Sequence, residues 1–134
     1  MVEHRLTNII LKAAFRVHKQ LGPGLMKQAY QHCLLHELRG LGLTVESHKD
    51  MPVTYKGQQL SVGYTLDLFV ENRVIIQITS CPFSDIHNAS MQTYLKMSNC
   101  KVGLLMHFNV RALKDGVRRV LPDTCLSSAM RSAS

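Results

Sequence analysis

The sequence has no Trp, and its aromatic residues are four Tyr and four Phe. Its core must therefore be built mainly from aliphatic side chains. No apolar run approaches the roughly 20 residues of a membrane-spanning helix, so no membrane association is expected. No block of five like charges occurs, so there is no polybasic arm or acidic tail. The four cysteines, Cys33, Cys81, Cys100 and Cys125, form no CxxC pair and no finger spacing, which argues against a zinc finger. The opening Met1-Val2-Glu3-His4-Arg5 is polar and runs straight into a periodic segment, unlike a secretion signal. Reduced thiols in a cytoplasmic protein are the expectation. No internal repeat and no linker interrupts the chain.

What is present suits one domain. The length of 134 residues and an apolar share of 46% are enough to fill a single core. The domain is expected to span residues 1–121, with the Ser- and Ala-rich residues 122–134 as a flexible tail. The net charge of +7 suits an anionic partner such as nucleic acid. Arg16, Lys19, Lys27, Lys96, Arg111 and Lys114 are the candidate contacts. Because the positive charges are scattered, solubility alone explains the balance equally well. His32 and His36 lie four apart on an expected helix, but no third metal ligand accompanies them.

Periodicity organises the chain. Leu6, Ile9, Ile10, Ala13, Ala14, Val17 and Leu21 recur at helical spacing, and Gly22-Pro23-Gly24 ends that stretch. A second helix is predicted over about Leu25–Leu41. Two strands then follow, Leu43–His48 and Pro52–Lys56, with a turn at Lys56-Gly57-Gln58. A third helix is predicted over Ser84–Ser98 and a buried strand over Lys101–Phe108. Val110–Leu121 is a short amphipathic element of unsettled type. The order is helix, helix, three or four strands, helix, strand (α-α-β-β-β-β-α-β with four), an α/β fold with a mixed sheet flanked by helices.

The most informative stretch is Tyr64 to Thr79, which reads as a hairpin turning at Glu71–Arg73. A three-residue loop pairs Val70 with Val74, Asp67 with Gln77 and Thr65 with Thr79. Leu66, Leu68, Val70, Val74, Ile76 and Ile78 then share one clean core face. Thr65, Asp67, Phe69, Ile75, Gln77 and Thr79 share the other, which leaves Phe69 and Ile75 looking exposed. A two-residue loop would mix the faces.

Several motifs, in order, carry a resemblance. They are Ala14–Leu25, Pro52–Gly57, Gly63-Tyr64-Thr65-Leu66-Asp67-Leu68, Ala89–Lys96, and Val102–Leu105 with Phe108–Val110 and Leu113–Gly116. Over residues 3 to 121 the chain resembles the GxxExxY family of the PD-(D/E)XK nuclease-like superfamily. The resemblance implies that architecture and a centre in which a strand Asp, a Glu-x-Lys and helix-borne Glu and Gln residues surround a divalent metal such as Mg²⁺. Metal and Lys would activate water and stabilise a phosphoryl transition state. Position by position, Asp67 matches the strand Asp. Gln77 stands for the Glu, Thr79 for the Lys, Ser90 for the helix Gln, and Lys27 for the signature Glu of Gly24-Leu25-Met26-Lys27-Gln28-Ala29-Tyr30. Gly24, Tyr30 and Tyr94 keep the scaffold.

These departures imply a pseudoenzyme that binds no metal and no small-molecule cofactor, since Mg²⁺ wants one or two carboxylates and Gln77 offers a neutral oxygen. Lys27 could pair with Asp67 and mimic the metal. The bland alternatives are a salt-bridged Asp67, a core or crevice-wall role for Tyr30 and Tyr94, a packing His18 and a turn-forming Glu71. Three functions remain open: a binding module for nucleic acid, a structural subunit of a homo-oligomer or larger complex, and a residual nuclease using Glu71, His87 or Asp85.

Overall fold

Leu6, Ile10, Ala13, Ala14 and Val17 fall on one side of helix α1 (Val2–Leu21), and all are buried. They meet Tyr30, Leu34 and Leu38 of helix α2 (Lys27–Gly40) over one face of a five-stranded sheet. Each buried Leu contributes about 1.5–3 kcal/mol through area removed from water. The computed structural model describes residues 2–122. Of the tail expected at 122–134, all but Pro122 lies outside the described residues. No described helix is long and apolar enough to cross a membrane.

The sheet runs β1 (Val45–Tyr55), β2 (Gln58–Val70), β3 (Val74–Thr79), β4 (Val102–His107), β5 (Val117–Val120), in that spatial order. Antiparallel hairpins join β1 to β2 and β2 to β3. Helix α3 (Asp85–Ser98) crosses over to bring β4 parallel to β3, and β5 returns antiparallel to β4. This is the mixed α/β architecture that the sequence implies.

Three details correct the expected order. The two strands expected at 43–48 and 52–56 are one strand, β1. The register only shifts between Met51 and Val53, where β2 carries two extra residues opposite Pro52. Three strands, the lower of the two expected numbers, therefore precede α3. The unsettled segment after Val110 is a 3-10 turn (Leu113–Gly116) leading into β5. Lys56 and Gly57 both take positive φ, 51° and 77°, as the two-residue turn joining β1 to β2 requires.

Phe69 and Ile75 are buried, not exposed. Together with Leu66, Met91, Leu95 and Leu105 they form a second cluster, on the α3 side of the sheet. Gly103 of β4 permits this, because a Cβ there would collide with the Met91 side chain. The hairpin between β2 and β3 is thus covered on both faces, and alternation alone does not reveal a second core.

Candidate functional site: a lysine-carboxylate pocket at the splayed hairpin

The turn end of the hairpin follows the expected register. Val70 pairs with Val74, Phe69 with Ile75 and Leu68 with Ile76. The ladder stops there, and the expected Asp67–Gln77 and Thr65–Thr79 pairs do not form. The Gln77 side chain enters instead. Its Oε1 accepts the Asp67 N–H at 2.6 Å, and its Nε2 donates to the Thr65 carbonyl at 3.3 Å. A side chain thus takes the place of a backbone partner and the strands part. Leu66 accordingly joins the second cluster rather than sharing a core with Leu68 and Val70.

Where the strands part, a pocket of about 320 Å³ opens between β3, α3 and the start of α2. Lys27, Asp67, Gln77, Thr79, Ser90 and Tyr94 all line it, so the structure gathers every residue that the sequence assigns to the centre. Asp67 is buried, with its side chain 10% exposed. One carboxylate oxygen, Oδ2, accepts the Ile78 N–H at 2.8 Å and lies 3.1 Å from Lys27 Nζ. The same oxygen therefore holds β3 in place and anchors the lysine.

Lys27 occupies the first residue of α2, whose first turn carries no acidic side chain. The N-terminal end of a helix macrodipole favours an anion, not a cation. Asp67 offsets that unfavourable placement, and the lysine in turn neutralises a nearly buried carboxylate. Several other lining residues have partners of their own. The Thr79 hydroxyl donates to the Cys81 carbonyl at 2.7 Å. Tyr94 stacks on Tyr64, with ring centroids 4.7 Å apart and planes 5° from parallel. His87 accepts the Ser84 N–H on Nδ1 at 3.0 Å, which puts the hydrogen of its neutral ring on Nε2.

Two lining or supporting residues carry no signal in the sequence. Cys81 is exposed at the pocket. Gln31 is buried on α2, one residue after the scaffold Tyr30, and its Nε2 donates to the Asp67 carbonyl at 3.2 Å. An uncharged residue beside a motif gives sequence reasoning nothing to hold. Tyr30 itself is a scaffold residue, stacked on Phe108 at 4.6 Å with its hydroxyl donating to the Gly22 carbonyl. His18 is likewise a packing residue, with Nε2 2.8 Å from the Val110 carbonyl.

The alternative ligands disperse. His87 is at the pocket, whereas Glu71 sits at the far end of the hairpin and accepts the Thr44 N–H. Asp85 is exposed in the first turn of α3 and does not line the pocket. Among the described residues, no three His, Cys, Asp or Glu side chains cluster closely enough to hold a metal ion. His32 and His36 border a separate groove between α1 and α2.

The basic candidates divide in the same way. Lys27 is in the pocket, and Arg16 faces Glu37 across the helix pair at 3.9 Å. Lys19, Lys96, Arg111 and Lys114 are exposed. Two contacts draw several of their segments together. His18 of α1 meets the Val110 carbonyl, and the Gly24 N–H donates to Asn109 Oδ1 at 2.7 Å. The end of α1 with Lys19, the loop before Lys27 and the loop bearing Arg111 therefore meet at one end of the molecule.

A family model described as the PD-(D/E)XK nuclease superfamily matches residues 4–120. No curated protein and no solved structure gives a significant match.

Proposed function

The chain belongs to the PD-(D/E)XK nuclease superfamily, and from that premise we propose that it is a GxxExxY-type member whose catalytic centre has degenerated and whose fold serves as a nucleic-acid-binding module. The observation that carries this reading is the contact of Lys27 Nζ with Asp67 Oδ2 at 3.1 Å. A divalent cation such as Mg²⁺ takes hard oxygen ligands and is ordinarily held by one or two carboxylates. Here the pocket offers one carboxylate, already engaged by an ammonium group and a backbone N–H. The neutral Gln77 oxygen is spent on the Asp67 N–H. These donors do not fit the family's metal. An ammonium on Asp67 repels an incoming cation, and Thr79 supplies no charge in place of the family's lysine.

Binding without cleavage is what the remaining chemistry supports. The net charge of +7 and the meeting of the Lys19, Lys27 and Arg111 segments at one end favour a polyanion. Fluorescence anisotropy with short DNA and RNA duplexes and single strands tests this. Expected is a linear fall of log affinity with log salt concentration, indifference to EDTA, and intact substrate. An absence of binding at low salt would remove nucleic acid from the proposal. A structural role in an assembly is the second reading, favoured by an uncovered part of the sheet.

A further inference from the structure

Beyond the core, β1 and β2 continue as a two-stranded ribbon over residues 52–63. Of its residues whose burial is described, all but the half-buried Val53 are exposed, and Tyr55 and Leu60 are large apolar groups 61% and 45% exposed. A two-stranded ribbon is marginal in water on its own. This one is rooted by Met51 and Tyr64, which pack against the second cluster.

The ribbon has two edges, and they differ. The outer edge of β1 carries Glu46, Lys49, Asp50 and Pro52, the charges and the missing N–H that discourage strand addition. The β2 edge carries no such charge or proline, and its one irregularity is a bulge at residues 61–63, opposite Pro52. Gln58 to Leu66 contains no charged residue and no proline. The β3 ladder ends at Leu68, and Gln77 caps the edge only at Thr65 and Asp67. Among the described residues, no strand pairs with residues 58–64 on the side away from β1.

The charge pattern selects the occupant. In a chain of net charge +7, residues 52–63 carry one charge, Lys56. A polyanion finds almost nothing to bind there. Two copies of the same basic protein repel least where their charge is least. A strand edge is also self-complementary under a two-fold axis, because antiparallel pairing presents the same groups from both sides. We propose that a second copy of this chain docks on the open β2 edge, with residues 59–63 running antiparallel to their own counterparts, so that two ribbons become one four-stranded sheet.

Sedimentation velocity of the full chain tests this, alongside Leu60→Lys and Ser61→Pro. Leu60→Lys places cations at the contact, and Ser61→Pro removes an N–H from the strand. Both changes lie in the exposed ribbon, and circular dichroism melts confirm that each variant folds. The wild type is expected at twice the chain mass of 15.1 kDa. Each variant is expected to dissociate at concentrations at least tenfold higher than the wild type. A wild type that stays at single-chain mass at every concentration overturns the proposal. So does a dimer that both variants leave intact, or an assembly larger than a dimer.

Discussion

From Val70 back to Leu68, and from Val74 on to Ile76, the β2–β3 hairpin is an ordinary antiparallel ladder, buried on both faces. One residue further it is something else. Asp67 and Gln77 exchange side-chain bonds with backbone, the strands part, and a lysine from another element enters. At the turn end the side chains are held by packing, which tolerates no polar group but asks little of chemistry. At the pocket end they are held by charge and hydrogen bonds. Such groups remain only while each has its partner, because an orphaned buried donor or charge is costly. On the proposed reading, this is how a centre loses its chemistry without losing its shape: the Gln77 amide and the Lys27 ammonium satisfy the buried groups around Asp67.

Truncating the packed end should have the largest effect on stability. Leu68→Ala or Ile76→Ala is expected to cost about 2–5 kcal/mol in urea unfolding, because each side chain is wholly buried in the first core. A loss below 1 kcal/mol would mean that this end does not carry the fold.

Changing the pocket end should cost less and reveal more. Lys27→Met leaves Asp67 nearly buried without its cation. A fully buried pair broken this way loses several kcal/mol, but the lysine side chain is 37% exposed, so about 1–3 kcal/mol is expected. Urea unfolding measures it, and a loss below about 0.5 kcal/mol would show that the ion pair is not what stabilises the pocket. Gln77→Ala should cost about 1–2 kcal/mol, through two lost hydrogen bonds. Amide exchange should then rise at Asp67 while Phe69 and Ile75 stay protected. Equal loosening of both ends would erase the distinction.

The smallest effect concerns thiols. Cys81 is exposed at the pocket, whereas Cys100 is buried in the second cluster and burial pushes its thiol up. The thiolate is the reactive form, so alkylation at neutral pH should modify Cys81 before Cys100. Cys100 should react appreciably only at higher pH or on unfolding. Peptide mapping after a timed iodoacetamide pulse distinguishes the two.

Much of this was legible in the sequence, for physical reasons that stop at identifiable residues. The alternation from Leu66 to Ile78 fixes the turn and puts Asp67 and Gln77 near each other. The matched motifs bring Lys27 to the same place. What alternation cannot express is a side chain standing in for a strand, so the end of the ladder at Leu68 and Ile76 was hidden. Nor can a period-two pattern show a second core, so Phe69 and Ile75 looked exposed until α3 was seen to cover them. The continuity of β1 through Pro52 was hidden because a residue without an N–H can break a strand or merely shift its register. Nor does the sequence show that Glu37, 21 positions on, faces Arg16 across the helix pair.

The most direct test of the central claim is a cleavage assay on DNA and RNA with Mg²⁺ and with Mn²⁺, comparing the wild type with Asp67→Ala. With Lys27 in place of a metal on the one carboxylate, both proteins are expected to leave the substrate intact, with no difference between them. Metal-dependent cleavage by the wild type that Asp67→Ala abolishes would contradict the account.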